Sequence, residues 1–278
     1  MNSVKLVSIV IPCFNDVHYV EQSINSALNQ TYPYKEVIVV DDGSNEKTKA
    51  VLKKIEPEIT RLITQENFGQ SKARNVGIEA AKGDYIMVLD SDDFFEPTFC
   101  EEAIKLFDDD NLIKIVTCQA TLLFPNNEKQ LYIPKGGDLK SFLYANNALG
   151  TAMFKKSDWD KVNGYDENMR NGFEDWEFFI RLLSLGGEAH VIQKPLYWYR
   201  KRKGSTTEKA NKRKYELLTY IYMKHKVLFV SEYDSFIPFL LQKMERAEKN
   251  ELKVQQKIDY RLGEIILRPI RFIKNIFE

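Results

Sequence analysis

The chain has 278 residues, enough for one large α/β domain or one domain with a helical appendage. Apolar residues make up 44% and charged residues 29%, a globular rather than a disordered balance. Forty Lys and Arg offset forty Asp and Glu, so no basic surplus draws the chain to nucleic acid, and no nucleic-acid partner is expected.

Cys13, Cys100 and Cys118 are odd in number and far apart, which argues against a disulfide framework or a zinc site and for small buried side chains. His18, His190 and His225 have no metal-site spacing. No apolar run approaches the ~18 residues of a bilayer span. Leu6 to Ile11 lacks a small-residue cleavage site and runs into Pro12, so it is expected to be a buried strand rather than a leader. A cytoplasmic protein is expected.

In chain order, Val7 to Ile11 is a continuous β-branched run, the pattern of a strand covered on both faces. Tyr19, Ile24, Ala27 and Leu28 share one helical face. Strands follow at 36–40, 61–64 and 85–89, with helices at 47–55 and 70–80 between them. This alternation predicts a mostly parallel sheet with right-handed crossovers. Beyond Pro97 the pattern mixes. It predicts a helix at 97–107, strands at 113–118 and 131–133, and an edge segment from Thr151 to Phe154. A helix is expected over 174–185, ended by Gly186-Gly187, and helical sequence from about Glu208.

In an open parallel sheet, ligands bind at the carboxyl ends of the strands. Here three strand ends turn polar where the apolar run stops: Asn15-Asp16, Asp41-Asp42-Gly43-Ser44 and Asp90-Ser91-Asp92-Asp93. Carboxylates crowded on one rim repel one another unless a cation joins them. Asp90 and Asp92 are the candidates for a hard divalent ion, Mn²⁺ or Mg²⁺, completed by a diphosphate. The chain has no G-x-G and no P-loop motif, so a metal and side chains must hold any phosphates.

Val7 to Asn15, Gln30-Thr31-Tyr32-Pro33, Val39 to Ser44, Asn67 to Ile78, and Gly83-Asp84-Tyr85 through Asp93 occur in the order found in family 2 inverting glycosyltransferases. The resemblance covers about residues 5 to 200. It implies an α/β fold of the GT-A type, a mostly parallel central sheet flanked by helices. Residues 1–205 would be the catalytic domain and 206–278 a helical C-terminal extension. It also implies sugar transfer from a nucleotide-diphosphate donor, commonly a UDP-sugar, to a hydroxyl acceptor in bacterial surface polysaccharide or glycolipid synthesis. By the same resemblance Asp42 reads the base, and Pro12 and Phe14 line the nucleoside pocket. Asn67, Lys72 and Arg74 help hold nucleotide or sugar. Asp90-Ser91-Asp92 is the D-x-D, with Asp92 the direct metal ligand and Asp90 on ribose or a metal-bound water.

Glu174-Asp175-Trp176 matches the family's base motif, with Asp175 the base and Glu174 orienting it or the acceptor. An inverting transfer is a single in-line displacement, so one carboxylate must take the acceptor's proton as the new bond forms. Local sequence alone also fits helix N-terminal acids for the pair. Trp176 falls on the apolar face and fits the core as well as an acceptor platform. Acceptor recognition is expected around 146–154 and 166–173.

One departure stands out. Two residues beyond Arg200 the family often has a histidine, and here stands Arg202. An arginine cannot ligate a metal, but it can clamp diphosphate, which suggests a basic lid over 201–205 hinged at Gly204. At the C-terminus Leu262, Ile266, Pro269, Ile270, Ile273 and Phe277 share one face beside Arg268, Arg271 and Lys274. Such a helix, kinked at Pro269, fits a membrane surface carrying a lipid-linked acceptor, or packing against the catalytic domain or a partner subunit. Two rival functions are a sugar-phosphate nucleotidyltransferase and a non-catalytic nucleotide-binding subunit.

Overall fold

The computed structural model describes residues 4–257, 260 and 262–263. The first half alternates as expected: β1 (Val7–Cys13), α1 (Val20–Leu28), β2 (Lys35–Asp42), α2 (Glu46–Ile55), β3 (Arg61–Gln65), α3 (Gln70–Ala80) and β4 (Tyr85–Val88). There follow β5 (Phe94–Phe95), α4 (Phe99–Asp109), β6 (Ile113–Leu123), β7 (Lys129–Tyr132), β8 (Gly137–Asp138), α5 (Leu139–Tyr144), β9 (Met153–Lys155), α6 (Lys156–Lys161), α7 (Glu174–Leu183) and β10 (Glu188–Arg200). Helices α8 (Thr206–Lys212), α9 (Lys214–Lys224), α10 (Lys226–Ser231) and α11 (Tyr233–Gln255) complete the described chain.

One sheet runs β3-β2-β1-β4-β9-β6-β10-β5, with β7 on β6 and β8 on β10. Strands β3, β2, β1 and β4 are mutually parallel. β1 is buried along its whole length, which is why its sequence is apolar at every position rather than at alternate ones. On one face, Val7, Ile9, Ile11, Val37, Val39, Met87 and Cys118 form a core with α1, α2 and α4. On the other, α3 lies close against β1 and β2. A Cβ on Gly77 would stand 2.4 Å from Val10 Cγ1, so a larger residue would push the helix off the sheet.

The segment expected at the edge is interior. β9 sits antiparallel between β4 and β6, and Met153 and Phe154 are fully buried. Its shortness hid this, since three residues carry no periodicity. The long strand β10, not anticipated from sequence, pairs parallel with β6. Its register breaks around Pro195, where the missing N–H is tolerated by the irregular pairing.

The chain divides into two compact units, Met1–Lys224 and His225–Glu278. Helices α8 and α9 belong to the first unit for specific reasons. Gly172 lies so near α8 that a Cβ would meet Ala210 Cβ at 2.5 Å. Tyr220 Oη donates to Asp166 Oδ2 at 2.8 Å, and Lys224 Nζ lies 2.5 Å from the same oxygen and 2.8 Å from Glu177 Oε1. In the second unit, Phe236 packs on Phe229 with centroids 4.7 Å apart. Among the described residues no helix is long and apolar enough to cross a membrane. The amphipathic C-terminal face and Pro269 lie outside the described residues apart from Leu262 and Gly263. The three cysteines are buried and free, as their sequence context suggested.

Candidate active site

The parallel strands deliver their carboxyl ends to one rim. In register Cys13 pairs with Asp41, so Phe14 and Asp42 emerge side by side. Phe14 is exposed, whereas Pro12 is buried within β1 and contributes strand rather than surface. Asp42 is 3% exposed and organises the loop after β3. Its Oδ1 accepts from Gln65 Nε2 at 2.7 Å and Phe68 N–H at 2.9 Å, and Oδ2 accepts from Gly69 N–H at 2.9 Å. With about four lone-pair sites, a carboxylate so held keeps one for a ligand. Asn67 is exposed beside it. Its backbone nitrogen would stand 2.8 Å from a Cβ on Gly43, which has φ +76°, so only glycine fits that turn. Phe68, exposed like Phe14, was missed in the sequence because a lone aromatic in a loop carries no pattern.

At the end of β4 the acids diverge in role. Asp93 is fully buried and structural: Tyr197 Oη donates to its Oδ2 at 2.6 Å and Arg200 N–H to its Oδ1 at 2.7 Å. Ser91 is buried and donates from Oγ to Asp16 Oδ2 at 2.6 Å, which fixes the strand end against the end of β1 rather than leaving its hydroxyl for a donor. Asp92 faces Arg202, whose Nη2 contacts Oδ2 while Nη1 lies 2.9 Å from Asp16 Oδ1. Burial, helped by the nearby charges of Asp90 and Asp16, pushes the Asp92 carboxyl up to about 6 against the opposing pull of Arg202. Arg200 braces the same loop. It contacts the Asp92 carbonyl and Gln22 Oε1, and its guanidinium lies 4.9 Å and 4.8 Å from the ring centroids of Tyr19 and Phe94. Asp16, Tyr19 and Arg200 were not assigned from sequence, because nothing local marks a side chain whose partners lie about 70 to 190 residues away.

Arg74 is the main correction among the expected donor contacts. It is 2% exposed, and its two terminal nitrogens are spent on protein carboxylates: Nη2 on Asp90 Oδ1 at 2.8 Å and Nη1 on Glu174 Oε1 at 2.6 Å. Burial opposes its charge, yet the two acids hold it more firmly protonated than usual. The close seating of α3 on the sheet points it inward, so it touches the donor side only through Asp90. Lys72, two residues before Arg74 and so on the opposite side of the helix, pairs instead with Glu167 at 3.2 Å.

Glu174 and Asp175 open α7 after an unusual turn, Gly172 at φ +104° and Phe173 at φ +62°. A phenylalanine in the left-handed region is uncommon, and such strain persists where surroundings over-determine it. Glu174 is buried, pushed up to about 7 by desolvation against the pull of Arg74, and also accepts from Gln70 Nε2. Asp175 is partly buried. Its Oδ2 accepts from Asn146 Nδ2 at 2.9 Å and lies 2.9 Å from where a Cβ on Gly150 would stand. Desolvation raises its pKa, with Arg74 opposing. Trp176 is core, not an acceptor platform. It is 7% exposed and its indole N–H donates to Phe142 O at 2.6 Å, since the apolar face of α7 turns onto α5. The expected basic lid is a pinned turn: Lys201 N–H donates to Leu123 O at 2.8 Å and Gly204 N–H to Glu208 Oε2 at 2.7 Å.

A sequence profile described as Glycosyl transferase family 2 matches residues 8–158, more than half the chain. The chain belongs to glycosyltransferase family 2. A second profile, described as N-terminal domain of galactosyltransferase, matches residues 140–209 and so spans Asp175 and Arg202. The chain is 33% identical over 201 residues to a hyaluronan synthase of Pasteurella multocida, a match covering 69% of this chain and 20% of that protein. It is 31% identical over 206 residues to a chondroitin synthase of Escherichia coli, covering 69% and 28%. The match thus spans between a fifth and three tenths of those synthases. An uncharacterized glycosyltransferase of Haemophilus influenzae is 30% identical over 234 residues, covering 81% of this chain and 90% of the relative. S. aureus TarS 1-349, solved in complex with UDP-GlcNAc, superposes with a TM-score of 0.62 at 21% identity, covering 73% of this chain and 60% of that one. The fold is therefore of the GT-A type.

Proposed function

We propose that this glycosyltransferase moves a sugar from a nucleotide-diphosphate donor, a UDP-sugar, to a hydroxyl acceptor with inversion, in the assembly of a surface polysaccharide or glycolipid. The observation that carries this reading is the bridge through Arg74. It ties Asp90, on the donor strand, to Glu174, beside Asp175 at the head of α7. In this reading Asp175, next to Glu174, is the carboxylate that a single displacement needs to take the acceptor's proton. The uracil nucleotide is favoured by the TarS complex with UDP-GlcNAc.

In this reading Phe14 and Phe68 border the base and Asp42 offers its remaining lone pair to a base N–H. Asp90 and Asp92 are the oxygen donors suited to Mn²⁺ or Mg²⁺, and two carboxylates plus diphosphate oxygens and water suffice for such an ion. Among the described residues no third His, Cys, Asp or Glu completes a protein-only cage, so the diphosphate must supply ligands. When bound, the ion would offset charge on the departing diphosphate. Asp175 takes the acceptor hydroxyl's proton while that oxygen bonds to the anomeric carbon. The bond from that carbon to the diphosphate breaks, and its electron pair leaves with the nucleotide. Glu174, locked by Arg74, keeps Asp175 in place, and Arg202 is a cation for the diphosphate. The acceptor is a glycan or lipid-linked glycan entering past Asn146 and Gly150. Peripheral contact with the inner face of a membrane through the C-terminal segment, which lies outside the described residues, is part of the same proposal.

The test is nucleoside diphosphate release from a panel of UDP-, GDP-, CDP- and dTDP-sugars with sugar acceptors, with and without Mn²⁺, together with the anomeric configuration of the product. Metal-dependent UDP release and an inverted linkage, lost in Asp175→Asn, support the reading. Release unaffected by Asp175→Asn, or a retained configuration, would refute it.

A further inference from the structure

Arg202 lies where a metal-bound donor must arrive, and it is already engaged. Its two terminal nitrogens bridge Asp16 and Asp92, from β1 and β4. Its guanidinium lies over Tyr19 at 5.1 Å, and its Nε is buried with no hydrogen-bond partner. Asp16 is held from the other side by Ser91 Oγ at 2.6 Å, whereas the Asp92 carboxylate is bonded to Arg202. The backbone around it is fixed: Arg200 is bonded to Asp93, and Lys201 to Leu123. Only the side chain is free to shift, since Gly204 N–H is tied to Glu208 Oε2 at 2.7 Å.

Given the donor site proposed above, we infer that Arg202 is the resident cation of the Asp16–Asp92 pair, and that donor binding transfers it from these carboxylates to the diphosphate. Arg202 holds Asp92 Oδ2, and its charge repels a divalent ion on the other oxygen, so without nucleotide the two compete for Asp92. A diphosphate offers the guanidinium a denser, bidentate acceptor, and the unpartnered Nε provides a third donor for it. Once Arg202 turns to the phosphates, Asp92 is free for the metal. Metal and nucleotide affinities are thereby coupled, and by linkage the coupling is the same in either order of addition. The consequence is a site that does not load with metal alone.

The test is Mn²⁺ binding to the full chain without nucleotide, read from loss of the free-ion electron paramagnetic resonance signal. Arg202→Gln should bind Mn²⁺ alone about tenfold or more tightly than wild type, within the usual range of such couplings. Added UDP should then strengthen Mn²⁺ binding far less in the variant than in wild type. Arg202→Met, which keeps the stem over Tyr19, repeats the comparison if the glutamine variant does not fold. Equal Mn²⁺ affinity of wild type and variant without nucleotide overturns the exchange. If UDP binds neither protein, the donor-site reading fails, while the nucleotide-free comparison still decides the role of Arg202.

Discussion

Replacing Arg74 by methionine separates its buried bridging role from any contact with the donor. Methionine keeps much of the volume and removes the charge. Glu174, with its side chain 4% exposed, loses its nearest cation and has no route to water, whereas Asp90, 34% exposed, rehydrates in part. Breaking a buried pair by removing one partner costs about 3–5 kcal/mol. Glu174 should carry most of that cost. The cost must also depend on pH. Glu174 already titrates near 7, above its ordinary 4.5, so it contributes stability at low pH that is lost as pH rises through the folded value. Without Arg74 its pKa rises further. The variant should therefore fall behind wild type more at pH 8.5 than at pH 6, by up to about 1.4 kcal/mol per pH unit across the added interval. Urea unfolding of wild type, Arg74→Met, Glu174→Gln and the double variant at both pH values measures this, with a coupling of about 1–3 kcal/mol expected from the cycle. A cost under about 1 kcal/mol, or the same cost at both pH values, would refute the bridge as a source of stability.

Asp175→Asn should lower kcat by about 10²–10⁴ while leaving UDP affinity unchanged. In wild type the raised pKa of Asp175 predicts that kcat/KM falls on acidification through an apparent pKa above 3.8, because the base must be deprotonated; the pH–rate profile reads this directly. Gly150→Ala puts a methyl 2.9 Å from Asp175 Oδ2 and should depress kcat more than thermal stability, as paired kinetic and melting measurements would show. Phe68→Ala should weaken UDP binding by about 1–3 kcal/mol if its ring stacks on the base, and calorimetry showing no change would remove it from the pocket. For Lys224→Met, burial raises the Asp166 pKa but the hydrogen bonds from Lys224, Asn168 and Tyr220 more than offset it, leaving a depressed value. The stability this gives is present above pH 3.8 and lost as pH falls through the folded pKa. The variant's deficit, about 1.5–3 kcal/mol at pH 7, should shrink below about pH 4 in acid titrations.

The sequence alone determined the parallel half of the fold and the rim on which its carboxylates gather. Both follow from local periodicity: a strand buried on both faces must be apolar throughout, and polarity begins where β1, β2 and β4 leave the core. It also placed Asp175 at the head of a helix, because its motif is contiguous. What it left open depends on partners far apart in the chain. Whether Trp176 is surface or core is decided by α5, and whether β9 is edge or centre by β6. Whether Arg74 meets ligand or protein is decided by Glu174, 100 residues on, once Gly77 lets α3 settle on the sheet. Arg202 is the sharpest case. A basic run after a strand looks like a solvated turn or a lid, and only the fold brings Asp16 and Asp92 to the two ends of its guanidinium. An ion pair has no sequence signature, since its energy depends on distance in space and on exclusion of water, neither of which exists before the chain folds.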